Sequence, residues 1–367
     1  MTGLADILRR RIGEAGPLGV DRYMEMALGH PEYGYYRGAD RLGLEGDFTT
    51  APEISQMFGE LIGLWSAVLW RQMGRPDPLL LVELGPGRGT LMADFLRAAR
   101  GIDGLPGALR VHLVEASPGF RTAQEKTLAN ATAFPIQWHD EFASVPHGPM
   151  ILIANEFFDA LPIRQFERTA AGWRERLVGL AADGDGFRFV LSEAAPEVDL
   201  PAAAAEGAVA EICPLGREIA GRIGWRLMDH GGAALLIDYG YADAGPSGIG
   251  HGDSLQAVRG HAFHDVLVDP GTADLTAHVD FAALGRAALA EGVAVHGPVG
   301  QGAFLQGLGI DARLAALTAK ATPAQAVGLR SGHRRLTDPA GMGTLFKAMA
   351  IAHPALKPLA GFAGKEE

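Results

Sequence analysis

A glycine-rich run between an apolar segment and an amphipathic segment restricts the possible folds of this chain more than any other sequence feature. The run, ELGPGRG at residues 83–89, follows the apolar residues Leu79–Val82 and precedes a stretch at 90–100 with apolar residues at helical spacing. Glycines permit the tight turn from a strand into a helix, and the free N–H groups at the start of a helix can bind a ligand. The pattern predicts a strand–loop–helix unit with a ligand site on its loop.

Apolar runs alternate with helical segments beyond this loop, which is typical of βαβ units and a parallel sheet. Further buried strands are predicted at 111–114, 134–138, 150–154 and 233–237, and a last strand at 345–347. Between the strands at 150–154 and 233–237 the sequence predicts an inserted lobe. Its antiparallel strands at 166–180 and 186–191 flank a turn that starts at Asp183, and residues 195–209 form a surface loop.

The spacing of the glycines favours a sulfonium nucleoside over a dinucleotide. A dinucleotide fingerprint, G-x-G-x-x-G/A, would need glycine or alanine where this chain has Thr90. The spacing here is G-x-G-x-G after an acidic residue, the pattern shared by sheets that bind S-adenosyl-L-methionine. Glu115 ends the next strand, where it can accept both ribose hydroxyls, and the adenine amino group would meet Asp140 and Glu141. The predicted cofactor-binding residues are Glu83, Gly85, Gly87, Gly89, Thr90, Glu115, Asp140, Glu141 and Asn155.

The expected fold is an α/β class I methyltransferase fold, with a mostly parallel Rossmann-like sheet flanked by helices. The chain is longer than one minimal doubly wound domain, so additional segments are expected. One of them contains a helix before the sheet, since Pro52 and Glu53 suit the first turn of a helix. We predict four segments. An N-terminal helical region at 1–75 is followed by the first part of the core at 76–165. A hairpin-rich antiparallel and helical insertion occupies 166–212, and the rest of the core, with a His/Asp-rich cap and C-terminal helices, occupies 213–367.

Charge, cysteine content and the first residues exclude several classes of function. The net charge of -11 argues against a nucleic-acid partner, which requires basic residues to neutralise its phosphates. With Cys213 as its single cysteine, the chain can form neither an intramolecular disulfide nor a thiolate metal cage. No stretch approaches the ~20 apolar residues that span a bilayer. Residues 1–12 have the spacing of an amphipathic helix rather than a secretory signal, and the start shows no basic, Ser-rich transit peptide, which fits a protein of bacterial type. We therefore expect a cytoplasmic protein without membrane insertion.

Two carboxylates follow the predicted strand at 150–154, in the sequence NEFFDALP at 155–162. Methyltransferases of this fold hold the nucleophile at this strand tip. Carboxylates suit a cationic acceptor, because a guanidinium has five donors that a carboxylate can bind in pairs. Since its pKa lies above ~12, a carboxylate must also help to remove a proton. Glu156 and Asp159 are therefore catalytic candidates, with a helix-start charge and a helix cap as their structural alternatives.

Residues 238–281 are rich in His and Asp, among them His251 and Asp274. Such side chains suit either a metal site or a cap whose hydrogen bonds hold loops over the donor pocket. The spacings match no closed metal motif, and we predict no metal. The segment 276–280 is expected to touch substrate, which adds His278 and Asp280 to the catalytic candidates.

Taken in order, these motifs resemble one family, the MidA family, whose mitochondrial members are arginine methyltransferases needed for the assembly of respiratory complex I. The matching fragments are HP at 30–31, GYY at 34–36, GDF-x-T-x-PE at 46–53, ELGPG-x-G at 83–89, NEFFDALP at 155–162, IDYG at 237–240, DSLQA at 253–257, DLT-x-HVDF at 274–281 and MG-x-LFK at 342–347. The chain departs from the family at Ala51, where serine is usual, and at Phe120, where an aliphatic residue is common. The resemblance implies a class I core, S-adenosyl-L-methionine as cofactor, and a protein substrate bearing arginine. It also implies symmetric dimethylation of a complex I subunit.

Other functions stay open at this point. The chain could be an S-adenosyl-L-methionine-binding assembly factor with little turnover, a small-molecule methyltransferase, or a metal-dependent hydrolase built on the His/Asp-rich segment. A homodimer is compatible with the sequence.

Overall fold

The computed structural model describes residues 3–37, 49–131, 133–182, 184–243, 250 and 252–362. Three features named above lie outside these residues: the Gly46–Phe48 part of one motif, Asp183 of the predicted turn, and His251 of the predicted cap.

The described residues form an α/β fold. Its strands are β1 (Leu18–Gly19), β2 (Leu79–Leu84), β3 (Leu109–Val114), β4 (Ile136–His139), β5 (Met150–Asn155), β6 (Arg164–Thr169), β7 (Gly172–Leu180), β8 (Phe187–Leu191), β9 (Val209–Ile212), β10 (Gly232–Tyr241), β11 (Gln256–Arg259), β12 (Ala262–His264), β13 (Asp274–Thr276), β14 (Val279–Asp280), β15 (Ala294–Gly300) and β16 (Phe346–Ala352). Its helices are α1 (Leu4–Ala15), α2 (Val20–Gly29), α3 (Ala51–Ile54), α4 (Gln56–Gln72), α5 (Thr90–Ala99), α6 (Leu105–Ala108), α7 (Pro118–Thr127), α8 (Pro214–His230), α9 (Phe281–Leu289), α10 (Gln301–Gly307), α11 (Ile310–Thr318), α12 (Pro323–Thr337) and α13 (Met342–Leu345).

The central sheet has the strand order β4-β3-β2-β5-β10-β16-β15, with β14 beside the end of β10. The neighbours from β4 to β10 are parallel, whereas β16 is antiparallel to both β10 and β15. The carboxyl ends of β2, β3, β4 and β5 therefore meet at one edge of the sheet. The predicted fold class is confirmed.

Alternate residues of the central strands pack into two separate cores, one on each face of the sheet. In β2, Leu79 and Leu81 contact the cluster that contains α4 and α5, whereas Leu80 and Val82 contact the cluster that contains α8 and α9. Both faces are covered, which is why these strands read as continuous apolar runs rather than as alternating ones.

A second sheet joins the inserted lobe to the start of the chain. Its order is β1-β7-β6-β9, and β8 pairs with β7. The pairing of Leu18 with Val178 brings the N-terminal residues onto the insertion. Helices α1 and α2 share one apolar cluster with this lobe and with β13. The region before the central sheet thus packs on the insertion, and the division of the chain into four segments stays a prediction.

The predicted strands of the core at 79–82, 111–114, 150–154 and 233–237 lie within β2, β3, β5 and β10, whereas those at 134–138 and 345–347 only overlap β4 and β16. The prediction for the insertion was wrong in two respects, because 166–180 is not a single strand and because β9 begins at the end of the predicted loop at 195–209. The segment 166–180 folds as β6 and β7, joined at Gly172, whose φ of 113° permits the tight reversal. A third small sheet, β12-β11-β13, occupies part of the His/Asp-rich segment. No helix in the described ranges has both the length and the apolar character to cross a membrane.

Candidate functional site

A cavity of about 970 Å³ opens at the carboxyl ends of β2, β3, β4 and β5. Strand order reverses here, since β3 and β4 extend the sheet to one side of β2 and β5 extends it to the other. Open α/β sheets bind ligands at such a reversal. The volume lies at the upper end of the range of small-molecule sites, which is roughly 300–1,000 Å³.

The glycine loop after β2 forms one wall of the cavity. Gly85, Gly87 and Gly89 have φ values of 60°, 53° and 82°, a region that L side chains rarely adopt. A Cβ atom on Gly85 would lie 2.9 Å from Cδ2 of Phe157. Gly85 and Gly87 line the cavity, whereas Gly89 lies just behind it at the start of α5. The backbone conformation therefore depends on glycine at these positions.

Glu83 and Asn155 place buried oxygen atoms beneath this loop. Glu83 is 2% exposed and Asn155 is 8% exposed, and both line the cavity. Glu83 Oε2 and Asn155 Oδ1 accept no hydrogen bond from any described residue. Burial raises the pKa of Glu83 from 4.5 to about 8. Buried acceptors without donors cost free energy, so these atoms fit a ligand that brings cationic N–H groups.

Glu115 lies at the end of β3 and is held by two donors. The Ser117 amide donates to Oε1 at 2.8 Å, and Gln124 Nε2 donates to Oε2 at 3.2 Å. Burial raises the pKa of Glu115, although these hydrogen bonds oppose the rise. Gln124, which is fully buried, also donates to the Gly87 carbonyl at 2.8 Å. Gln124 thus fixes Glu115 relative to the glycine loop, a role that the sequence reading missed.

Asp140 and Glu141 follow β4 at the exposed rim of the cavity. Asp140 forms an ion pair with Arg121 at 2.7 Å. Next to them, the buried ring of Phe142 lines the same wall. Both carboxylates line the cavity, and their contact with adenine stays a prediction.

Glu156 follows β5 in an uncommon backbone conformation, with φ at 50°. The Ala51 amide donates to Glu156 Oε1 at 3.0 Å, and the Asn155 side chain donates to the same atom at 3.3 Å. Burial, assisted by the charge of Asp159, raises the pKa of Glu156 to about 8 against the effect of these donors. A carboxylate in this range can accept a proton near neutral pH.

Asp159 lies on the same loop and is 6% exposed. Its Oδ1 accepts no hydrogen bond from the described part of the chain, and the residue lines the cavity. Burial raises the pKa of Asp159 to about 6, although a hydrogen bond from Tyr239 opposes the rise.

Asp238, in β10, determines the shape of the loop that carries both carboxylates. Its Oδ2 accepts hydrogen bonds from the amides of Phe157, Phe158 and Asp159 at 3.2, 2.9 and 3.2 Å. In the sequence, Asp238 stands out only as the first residue of a polar segment. Its partners are about 80 residues away in the chain, so no local pattern indicates them.

The N-terminal segment supplies a further wall that the sequence reading did not predict. Tyr36, Thr50 and Glu53 line the cavity. Thr90, predicted as a cofactor contact, donates its hydroxyl to Glu53 Oε1 at 2.6 Å and also lines the cavity. The start of α5 is thus linked to α3.

The structure does not bring His278 and Asp280 to this cavity. Both line a separate small cavity of about 30 Å³. Asp280 Oδ1 accepts from the Ala283 amide at 2.9 Å and so caps the start of α9. The His278 ring contacts Tyr239 edge-on at 5.5 Å between centroids, and its amide donates to Ser254 Oγ at 2.8 Å. Neither residue lines the cavity that contains Glu156 and Asp159, and their catalytic roles stay a prediction.

Among the described residues, no three His, Cys, Asp or Glu side chains lie together as metal ligands would. The polar groups of the main cavity instead follow two neighbouring strands. Glu83 lies at the end of β2 below the glycine loop, whereas Asn155, Glu156 and Asp159 lie at and after the end of β5. The cavity can therefore hold one ligand on the loop and present a second, cationic group to the Glu156 side.

Comparison with known proteins reveals similarity over nearly the whole chain. A family model described as S-adenosyl-L-methionine-dependent methyltransferase matches residues 61–299. Protein arginine methyltransferase NDUFAF7 homolog, mitochondrial, of Drosophila melanogaster is 39% identical, with 98% of this chain and 88% of the relative covered. Protein arginine methyltransferase NDUFAF7, mitochondrial, of Homo sapiens is 38% identical, with 94% and 82% covered.

The solved structures agree. The crystal structure of a protein from Burkholderia thailandensis, bound to S-adenosyl-homocysteine, superposes with a TM-score of 0.84 at 29% identity. The match covers 98% of this chain and 94% of that one. A native crystal structure of an uncharacterized protein from the same organism gives a TM-score of 0.82 at 30% identity, with the same coverage.

The relatives contradict one expectation from the sequence. We predicted a cytoplasmic protein, but the relatives from Drosophila melanogaster, Danio rerio, Mus musculus and Homo sapiens are all named as mitochondrial proteins. That prediction was wrong, because the composition of the first residues, on which it rested, does not by itself determine the compartment.

Proposed function

The chain belongs to the S-adenosyl-L-methionine-dependent methyltransferase family, and from this premise we propose that it transfers methyl groups to arginine side chains of a protein. The observation that carries the proposal is the position of two acidic groups, the half-buried Glu156 and the buried Asp159, in the same cavity as the glycine loop. Relatives named protein arginine methyltransferases support it.

The donor side of the cavity fits S-adenosyl-L-methionine. The glycine loop admits close approach of a ligand to the backbone, and Glu83 Oε2 with Asn155 Oδ1 offers acceptors to a cationic amino group. Glu115 would hold the ribose hydroxyls, and Asp140 with Glu141 would face the adenine. Bound S-adenosyl-L-methionine supplies a methyl group on a positively charged sulfur, which keeps the electron pair of the broken C–S bond.

Glu156 and Asp159 act on the acceptor. A guanidinium nitrogen must lose one proton as it gains the methyl carbon, and the Glu156 carboxylate accepts that proton. The raised pKa of Glu156, about 8, makes the group basic enough for this task near neutral pH. Asp159 binds guanidinium N–H groups through its unpartnered Oδ1 and orients the attacking nitrogen. The reaction otherwise depends on positioning and on the exclusion of water.

We propose further that the acceptor is an arginine of a respiratory complex I subunit and that it is symmetrically dimethylated. The support is the resemblance to the MidA family. Mass spectrometry of complex I from deletion and complemented cells would test this narrower proposal, since the mark should be present only in the complemented cells.

The main experiment is methyl transfer from labelled S-adenosyl-L-methionine to a lysate of cells that lack this protein. The wild type should label a discrete polypeptide, and acid hydrolysis should release methylarginine. Glu156→Gln should abolish the label, whereas Asp103→Asn, which removes one acid from an exposed turn outside the cavity, should not. Recovery of methyllysine alone, or label in nucleic acid or small molecules alone, would contradict the proposal.

A further inference from the structure

Three polar side chains from distant parts of the chain meet on the acceptor side of the cavity. Tyr36 lies in a 3-10 turn at Tyr35–Arg37, Asp159 follows β5, and Asp274 begins β13. The Tyr36 hydroxyl donates to Asp274 Oδ1 at 2.9 Å. The Ala277 amide donates to the Asp159 carbonyl at 2.9 Å, which joins the two acidic segments. All three side chains line the cavity, together with Thr276.

We infer that Tyr36, Asp159 and Asp274 form the subsite that holds a planar cationic acceptor beside the methyl donor. The inference deepens the proposed arginine methylation and rests on it. It assigns to Tyr36 and Asp274 a part in acceptor binding, with Tyr36 fixing the orientation of the Asp274 carboxyl.

The two carboxyl groups are buried, and one carboxylate oxygen has no hydrogen-bond donor. Both features indicate that these acids bind a ligand rather than only pack. Asp159 is 6% exposed and Asp274 is 5% exposed. Asp159 lines the cavity, and its buried Oδ1 accepts no hydrogen bond from any residue that the structure describes. A buried carboxylate oxygen without a donor is costly, and a cation with several N–H groups removes that cost.

The hydrogen-bonding pattern of the subsite matches a donor-only cation. Burial and the nearby Asp274 and Asp159 carboxyls raise the pKa of Tyr36 well above its ordinary value, so its hydroxyl keeps the proton that it donates to Asp274. The hydroxyl oxygen retains lone pairs that can accept. The subsite therefore offers carboxylate and hydroxyl oxygens to a ligand. A guanidinium has five N–H donors and no acceptor.

The same tyrosine links the subsite to the donor pocket. Ser117 Oγ donates to the Tyr36 carbonyl at 2.6 Å, and the Ser117 amide donates to Glu115 Oε1 at 2.8 Å. The Tyr36 ring also contacts Phe120 on α7, with 6.2 Å between centroids. A group held by Tyr36 and Asp274 therefore lies next to the predicted ribose site and not at the outer rim.

A binding experiment without methyl transfer tests this inference. The full-length protein is saturated with S-adenosylhomocysteine and titrated with methylguanidinium by ligand-observed NMR. Methylurea serves as the neutral isostere and methylammonium as the compact cation. We expect the wild type to bind methylguanidinium more tightly than methylammonium and to show no binding of methylurea. Asp274→Asn and Asp159→Asn should each weaken methylguanidinium binding by at least tenfold, the loss expected for a charge-assisted hydrogen bond.

Tyr36→Phe should weaken methylguanidinium binding by about three- to tenfold. Two matched variants serve as controls. Asp103→Asn removes an exposed acid outside the cavity, and Tyr23→Phe removes a buried hydroxyl that donates to the Val266 carbonyl. Neither should change methylguanidinium binding, and none of the five variants should change the affinity for S-adenosylhomocysteine by more than about twofold.

The inference is overturned if wild-type protein does not bind methylguanidinium, if methylurea binds equally well, or if Asp274→Asn binds like the wild type. A parallel loss of S-adenosylhomocysteine affinity in Asp274→Asn would also overturn it, because the residue would then belong to the donor site. Failure of the proposed function is distinct. If methylguanidinium binds as expected but no protein arginine is labelled in the lysate assay, the subsite stands and the proposed arginine methylation falls.

Discussion

The backbone amide of Ala51 donates a hydrogen bond to the Glu156 carboxyl at 3.0 Å, across 105 positions of sequence. This contact places the N-terminal end of α3 against the strand tip that carries the proposed base. Glu53, two residues further on, accepts from Thr90 at the start of α5. One short helix thus connects the donor side of the cavity to the acceptor side. The segment before the central sheet is part of the site.

Glu156→Gln should separate chemistry from donor binding. The amide keeps the shape of the side chain but cannot take a proton, so we expect kcat to fall by about 100-fold or more, the usual contribution of a general base. The affinity for S-adenosyl-L-methionine should change by less than about threefold.

The pKa of Glu156 is raised to about 8, and the base must be ionised to act. For the wild type, kcat/KM should therefore rise with pH up to about 8 and then level off. Initial rates measured between pH 6 and 9 check both points. Unchanged turnover in the variant would remove Glu156 from the mechanism.

Glu83→Gln should weaken donor binding while it makes stability less dependent on pH. The folded protein raises the pKa of Glu83 from 4.5 to about 8, so between these values the folded state binds more protons than the unfolded state. The stability from this group is present below about pH 4.5 and is lost as pH rises through about 8. Glutamine does not titrate, so the free energy of unfolding should fall less from pH 5 to 8.5 in the variant. The difference is at most about 1.4 kcal/mol for each unit of the shift.

Denaturant unfolding at the two pH values measures this difference. Calorimetric titration at pH 8 should show at least a tenfold loss of affinity for S-adenosyl-L-methionine, because the charged acceptor for its amino group is gone. Wild-type affinity in the variant would show that Glu83 does not contact the donor.

Gly85→Ala should damage the donor site directly. The residue has φ at 60°, which costs an L side chain about 1–2 kcal/mol, and its Cβ would lie 2.9 Å from Phe157. We expect a loss of at least tenfold in affinity for S-adenosyl-L-methionine, measured by calorimetry. Gly107→Ala is the matched control, because a Cβ there meets no atom within 4 Å. Equal affinities for the two variants would contradict the assignment of the loop.

The parts of the site that depend on local sequence could be predicted, whereas the parts that depend on distant segments could not. The glycine loop and Glu115 follow from strand-to-helix patterns within a few residues, since parallel strands bring their carboxyl ends to one edge. Tyr36 and Glu53 reach the cavity only because the N-terminal segment folds back over the sheet. Periodicity within a segment carries no information on such a long-range contact.

For His278 and Asp280, contact with substrate stays a prediction. It rests on their position in a segment rich in His and Asp. In the structure, Asp280 caps α9, which gives its carboxylate a structural role. The sequence does not distinguish the two cases, because both place an acidic residue before an apolar helical run.

Asp280→Ala and Asp280→Asn together decide between capping and chemistry. Alanine removes the acceptor for the Ala283 amide and should cost about 1 kcal/mol of stability, whereas asparagine retains an acceptor oxygen and should cost little. Both variants should keep methyl transfer within about twofold of the wild type at a temperature where they are folded. Thermal unfolding and initial rates test these expectations. A stable Asp280→Asn protein without activity would restore Asp280 to the catalytic group.

Asp238→Asn should uncouple the acceptor loop from the sheet. One carboxylate oxygen of Asp238 accepts from three consecutive amides of the loop, and the other accepts from the Tyr239 amide at 2.9 Å. Asparagine has a single acceptor oxygen, so its NH₂ group must face N–H donors on one side, at a cost of about 1–3 kcal/mol. Because this loop carries Glu156 and Asp159, we expect kcat to fall by at least tenfold, while the affinity for S-adenosyl-L-methionine stays within about threefold.

Asp229→Asn, which changes an exposed acid near the end of α8, is the matched control. Asp238 would be a positioning residue if Asp238→Asn lost kcat and also lost the rise of rate with pH that Glu156 gives the wild type. A variant that merely unfolded at lower temperature, with kcat and its pH profile intact, would limit Asp238 to stability.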